Sequence, residues 1–90
     1  MSRLYEFKAI IHWNPERDAA YIEIPWAARK EFIKERIPVQ ATFDGYPYGG
    51  QLVKMGTTGH IISIPTDIRL SIGKRPGDEI FATIRERNED

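Results

Sequence analysis

Ninety residues allow one domain with one hydrophobic core and exclude two independent ones. Thirteen basic and thirteen acidic side chains cancel, and a duplex-binding domain normally carries a basic excess, so nucleic acid is disfavoured as a partner. Cysteine is absent, which excludes a disulfide framework, a thiolate metal site and a thiol nucleophile.

Hydrophobic residues at 41% and aromatics at 11% suit a packed domain rather than a disordered one. No apolar run approaches the roughly 18 residues of a membrane span. The start of the chain, MSRLYE, lacks the apolar stretch of a signal peptide. The expectation is a soluble, cytoplasmic protein.

Residues 4–13 (LYEFKAIIHW) alternate. Tyr5, Phe7, Ala9, Ile11 and Trp13 fall on one face; Glu6, Lys8 and His12 fall on the other, which predicts a half-buried strand. Residues 14–18 collect turn formers and close a hairpin, and Ala20, Ile22 and Ile24 continue on the inner face of a second strand. Pro25 has no ladder N–H and ends that strand, while its fixed φ suits the start of a helix. Residues 26–35 predict that helix, with Ala28 and Phe32 inward and Arg29, Lys30, Glu31, Lys34 and Glu35 outward.

Ile37, Val39, Ala41 and Phe43 predict a third strand, and Asp44-Gly45 a type I′ turn, whose two central residues both need positive φ. The returning strand over 46–54 places Tyr48 and Leu52 on one face. Pro47 and Gly49-Gly50 are expected to weaken or bulge its start. Residues 55–59 connect to a fifth strand over 60–64, which Pro65 stops. Thr66 and Asp67 then supply a cap and first-turn acidity for a second short helix, with Ile68 and Ile72 inward and Gly73 at its end. The stretch 75–78 (RPGD) turns the chain into a last strand whose inner face is Ile80, Ala82 and Ile84.

An internal repeat organises these elements. Shifted by forty positions, Ile22, Ile24, Pro25, Arg29 and Lys34 fall on Ile62, Ile64, Pro65, Arg69 and Lys74: five identities in thirteen positions. Ordinary amino-acid usage gives about one. After one inserted residue, Ala41-Thr42-Phe43 meets Ala82-Thr83-Ile84. A single strand–helix–strand unit leaves one sheet face and both edges open; two units paired about a pseudo-two-fold axis close a barrel. The expected fold is therefore mainly β with two short helices, a single domain over residues 1–90. It is a small closed β-barrel built from the repeats 22–43 and 62–84, and a monomer because both halves lie in one chain.

Two family resemblances follow from these motifs. The stretch 62–84, with Ile64-Pro65, a helix bearing Arg69 and then Gly77-Asp78, resembles the swapped-hairpin motif of AbrB-type transition-state regulators. Those carry one copy per chain and bind DNA as dimers. The second resemblance covers nearly the whole chain. Phe7-x-Ala9, Ile24-Pro25, Pro38-Val39-x-Ala41-Thr42-x-Asp44-Gly45, Gly49-Gly50-x-Leu52, Gly59-His60-x-Ile62 and Gly77-Asp78-x-Ile80 together resemble the prokaryotic domain-of-unknown-function family nineteen-oh-five. That resemblance implies a small closed barrel related to double-psi and AbrB-like folds. Some members are fused to a bacteriocin-protection, YdeI-like domain, an association not carried over to this chain. The family has no established biochemical role.

The chemistry-bearing residues divide between functional and structural readings. His60, which also belongs to the family pattern, is either a hydrogen-bonding group at a barrel mouth or a satisfied inner-face histidine beside Ile62 and Ile64. Arg29 and Arg69 are equivalent in the repeat and either bind an anion or lie over the barrel paired with carboxylates. Tyr48 and Lys54, with Tyr46, lie near the glycines of the hairpin, placed to line a ligand mouth or simply to pack and be solvated. The ligand-binding candidates are thus His60, Tyr48, Lys54, Arg69 and Arg29. The loop 56–59 (GTTG) lacks the lysine and following helix of a phosphate loop, and Asp78 is expected to cap its own turn. Two histidines 48 positions apart give no metal cluster. Strand alternation sends His60 and Ser63 to opposite faces, so no Ser–His–Asp set assembles.

No catalytic residue, cofactor or metal is expected. These features point to a non-catalytic binding or interaction domain with a small-ligand or protein-partner site at a barrel mouth. The alternative is an AbrB-like DNA-binding regulator using Arg29, Arg69, Lys74 and Arg75.

Overall fold

The computed structural model describes residues 4–25, 36–54 and 59–87. The expected first helix over 26–35, with Arg29, and the connection 55–58 lie outside the described residues. Within them, the alternating segments form β1 (Leu4–Ile10), β2 (His12–Asn14), β3 (Ala19–Glu23), β4 (Arg36–Phe43), β5 (Tyr46–Lys54) and β6 (His60–Ile64). A helix, α1 (Thr66–Ile72), and the last strand, β7 (Glu79–Glu86), complete the order. The strands make one curled antiparallel sheet in the order β1-β7-β4-β5-β6-β3-β2.

The concave face collects the predicted inner residues. Ile22, Ile24, Val39, Ala41, Phe43, Leu52, Ile62, Ile64, Ile80, Ala82 and Ile84 are all buried, and Ile68 joins them from α1. Alternate residues along β3, β4, β6 and β7, with Leu52 of β5, thus leave water, which is the dominant favourable contribution to folding.

A closed barrel does not form. The expected single strand over 4–13 breaks at Ile11, whose backbone is taken up by the turn before β7: Ile11 N donates to Asp78 O (2.9 Å) and Gly77 N donates to Ile11 O (2.8 Å). Residues before the break pair with β7 and only three residues after it pair with β3. The ladder therefore has two ends, β1 and β2, and the described sheet is a curled half-barrel. Its two ends are consecutive in the chain, separated by Ile11 alone.

The β4–β5 hairpin follows its sequence signals closely. Asp44 (φ 49) and Gly45 (φ 86) both adopt the positive φ that a type I′ turn requires. Asp44 Oδ1 then accepts Phe81 N (2.8 Å) and Asp44 N donates to Phe81 O (2.8 Å), so the turn is fastened to β7. The expected bulge at Pro47 and Gly49-Gly50 is absent: pairing is unbroken from Arg36↔Val53 to Phe43↔Tyr46. Pro47 is tolerated because β6 meets β5 only at Val53 and Lys54 among the described residues, so no second ladder needs its missing N–H.

Helix α1 begins one residue earlier than its expected cap. Pro65 takes the capping position without a side-chain bond, and Thr66 is already helical, its hydroxyl accepting Arg69 Nη2 (3.3 Å) instead. Gly73 closes the helix as expected, and Asp78 Oδ2 accepts Arg75 N (2.8 Å) to cap its own turn. No helix among the described residues is long and apolar enough to cross a membrane.

Two ladders each contain a pair of positions that the sequence alignment equates. β3 meets β6 with Ile22 opposite Ile62, and β4 meets β7 with Thr42 opposite Thr83, whose hydroxyls lie 2.6 Å apart.

Candidate functional site

The sheet opens where β5 leaves β6. Their ladder holds Lys54 against His60 and Val53 against Ile61, and had it run on, Gln51 would face Ser63. Instead β6 continues alongside β3, with Ser63 opposite Tyr21, while among the described residues the first part of β5 stays with β4 alone. The divergence leaves a groove of about 670 Å³ whose floor and walls are Pro38, Tyr48, Gly49, Gly50, Gln51, Val53 and Ser63. Arg17 and Arg87 complete its lining.

Local sequence explains each wall. Gly50 has no side chain, and Tyr48 uses the space: a Cβ at position 50 would overlap Tyr48 Cε2 and lie 2.8 Å from Cζ. The same ring packs on Phe43 with centroids 5.8 Å apart, so Tyr48 is held between core and groove. At Gly49 a Cβ would stand 3.6 Å from both Arg87 Nη1 and Gln40 Oε1, an ordinary contact distance, so a methyl group fits there but fills the gap beside the guanidinium. Arg87 N donates to Pro38 O (2.9 Å), which sets the arginine on the β4 flank. Arg17 approaches from the β2–β3 turn. There Asn14 Oδ1 accepts Glu16 N (3.0 Å) and Arg17 N (3.4 Å), a side-chain-closed turn that fixes the segment.

Charge is distributed simply. Among the described residues the groove lining carries two guanidinium groups and no carboxylate, with Gln51 and Ser63 as neutral hydrogen-bonding groups and Pro38 and Val53 as apolar surface. At Gly49 no side chain covers the backbone, whereas at Gly50 the Tyr48 ring does.

The four sequence candidates among the described residues are not brought together. Tyr48 lines the groove. Lys54 and His60 are cross-strand neighbours at the other end of β5, six residues or about 20 Å from Tyr48 along the strand. His60 is 4% exposed and turned into the core, while Ile24 N donates to its carbonyl (3.0 Å). Among the described residues Arg69 pairs with no carboxylate; its Cζ stands 5.7 Å above the Trp13 ring, a cation–π contact that ties α1 to β2. Arg29 lies outside the described residues. Sequence reasoning missed Arg17, Arg87, Gly49, Gln51 and Ser63; a double glycine inside a strand, a known mark of close backbone approach, was the signal available.

Among the described residues, no three His, Cys, Asp or Glu side chains gather as a metal site. The arrangement of the motifs is recognised independently: the family model described as "Domain of unknown function (DUF1905)" matches residues 7–84. The chain belongs to the DUF1905 family. The DUF1905 match runs from Phe7 in β1 to Ile84 in β7, so it takes in every strand of the sheet and all of the groove except Arg87. No functionally curated protein matches the chain.

Proposed function

We propose that this DUF1905 domain is a non-catalytic binding module whose site is the groove between diverging β5 and β6. The observation that carries the reading is the groove itself, about 670 Å³ and lined by Tyr48, a double glycine and two arginines. Small-molecule and peptide sites commonly occupy ~300–1,000 Å³ and combine apolar surface with a few convergent polar groups. Placement of the titratable side chains supports a binding rather than a catalytic role. His60 is enclosed in the core, and His12 stacks on Tyr21 with ring centroids 5.3 Å apart. Neither histidine lines the groove.

The register supports the duplicated unit and a monomeric state. Cross-strand pairing of Ile22 with Ile62 and of Thr42 with Thr83 is what a pseudo-two-fold between residues 22–43 and 62–84 demands. Kinship with double-psi and AbrB-type barrels rests on the same symmetry. The AbrB-like alternative, a DNA-binding surface, is less well supported. Of its basic groups, Arg69 covers Trp13, and Lys74 Nζ donates to Glu79 O (3.0 Å) and lies 3.6 Å from Asp44 Oδ2. We place the domain in the cytoplasm on its lack of cysteine.

The test is a ¹H–¹⁵N NMR titration against a mixed library of metabolites, short peptides and duplex DNA. Shifts clustering on Tyr48 to Gln51, Ser63 and Arg87 are expected. Shifts clustering on Lys54 and His60 instead, or a duplex affinity that falls steeply between roughly 50 and 200 mM salt, would replace the groove reading.

A further inference from the structure

The sheet has a second seam, where β1 parts from β2 at Ile11. Had the β2–β3 ladder continued backward, Ile10 would face Glu23; instead Ile10 lies opposite Glu79 of β7. The gap is a groove of about 460 Å³ whose lining includes Lys8, Ile10, His12, Glu23 and Pro25. The shift of forty that sets Ile22 on Ile62 also sets Glu23 on Ser63. The two grooves therefore use equivalent positions of β3 and β6.

Main-chain and side-chain groups both face this gap. Ile11 turns its N–H to Asp78 and its C=O to Gly77, toward the β7 side. Main-chain direction alternates along an antiparallel strand, so Ala9 turns the same way and Lys8 and Ile10 turn to the opposite side. Among the described residues, no strand pairs with that second side of β1. The exposed side chains of Lys8 and Glu23 set a cation on one wall and a carboxylate on the other. Among the described residues, these two form no ion pair with each other or with another side chain. His12, stacked on Tyr21, and the half-exposed Ile10 add apolar surface.

We propose that this second groove is a binding site for a free dipeptide. The ligand lies antiparallel to β1, with its ammonium on Glu23, its carboxylate on Lys8 and its amide on the main chain of β1. Spacing selects the length. Glu23 stands level with Ile10, two residues or about 7 Å along the strand from Lys8. Two extended residues span about 7 Å, so a dipeptide carries its terminal charges at that separation. A single amino acid holds both charges on one carbon and meets only one wall. The site is additional to the groove beside β5 and does not rest on it.

The closing experiment titrates the whole chain with alanyl-valine at low salt, followed by ¹H–¹⁵N NMR. N-acetyl-alanyl-valine, alanyl-valinamide and free valine are the controls. Saturable shifts at Lys8, Ile10, His12 and Glu23 are expected, with slowed amide exchange at Lys8 and Ile10. Each terminal block should weaken binding about fivefold, the ceiling for a solvent-exposed ion pair, and valine should bind more weakly still. Glu23→Gln should weaken alanyl-valine about fivefold and leave the acetylated form unchanged, while Lys8→Met should do the same with the amidated form as its insensitive partner. Both positions are exposed, so the variants should fold as the parent does.

Blocked dipeptides or valine binding as tightly as alanyl-valine would overturn the proposal. So would shifts confined to Tyr48–Gln51 and Ser63, an outcome that upholds the groove beside β5. Absence of any saturable shift overturns the second site alone, because the first is tested with other ligand classes.

Discussion

Tyr48 and Gly50 form a coupled pair whose coupling is measurable. Adding a methyl group at position 50 drives it into the Tyr48 ring, and that ring is already held against Phe43. Gly50 is not among the residues with positive φ, so the backbone itself accepts alanine. Gly50→Ala should therefore cost about 1–3 kcal/mol through overpacking alone. In a Tyr48→Ala background the three close contacts with the ring are gone. There the methyl group should be neutral or stabilise by about 0.5 kcal/mol, because alanine loses less conformational freedom than glycine on entering a strand. Urea unfolding of the two single variants and the double variant closes the cycle. Additive effects would mean that Gly50 is required for some reason other than the ring. By contrast, Gly49→Ala should change stability by no more than about 0.5 kcal/mol, since its Cβ would make only ordinary contacts.

At the scale of elements, the hairpin β4–β5 is anchored to β7 through Asp44. Three contributions meet there: a left-handed φ that aspartate and asparagine tolerate, the bond from Phe81 N, and the Lys74 pair at 3.6 Å. Asp44→Ala removes all three and should cost about 1–2 kcal/mol, with faster amide exchange at Phe81. Asp44→Asn keeps an acceptor oxygen and the tolerated φ and loses only a partly exposed ion pair. It should stay within about 0.5 kcal/mol of the parent. Equal losses in the two variants would make the Lys74 pair dominant, against the geometry. This turn was readable beforehand because Asp-Gly is a local signal, as was the inner face of β3, β4, β6 and β7, set by a period of two; Trp13, expected on the inner face of the first strand, is 41% exposed beyond the break at Ile11. The break at Ile11 was not readable. It depends on hydrogen bonds to Gly77 and Asp78, more than sixty residues further along, and no local propensity encodes them. The groove was only partly readable for the same reason. Tyr48 and the double glycine stood out, whereas Arg17, Ser63 and Arg87 each resemble solvated surface residues until the divergence of β5 from β6 assembles them.

For the whole molecule, the two central ladders determine the expected state of association. In a swapped dimer, Ile22 of one chain would meet Ile62 of another; here both lie on one chain, fully buried and directly opposite each other. The two ends of the sheet are the consecutive strands β1 and β2, so neither is left as a long flat edge. β2 has three residues, and β1 carries Glu6 and Lys8 outward, the kind of charge that discourages edge-to-edge pairing. The core described by these residues is drawn from one chain. Light scattering should give the mass of one 10.4 kDa chain across a wide concentration range, and the urea midpoint should not move with protein concentration. A dimer that persists on dilution and separates only as the chain unfolds would show that the two units exchange between molecules. The pairing of Ile22 with Ile62 would then be intermolecular, and the groove beside β5 would have to be redrawn with a second chain.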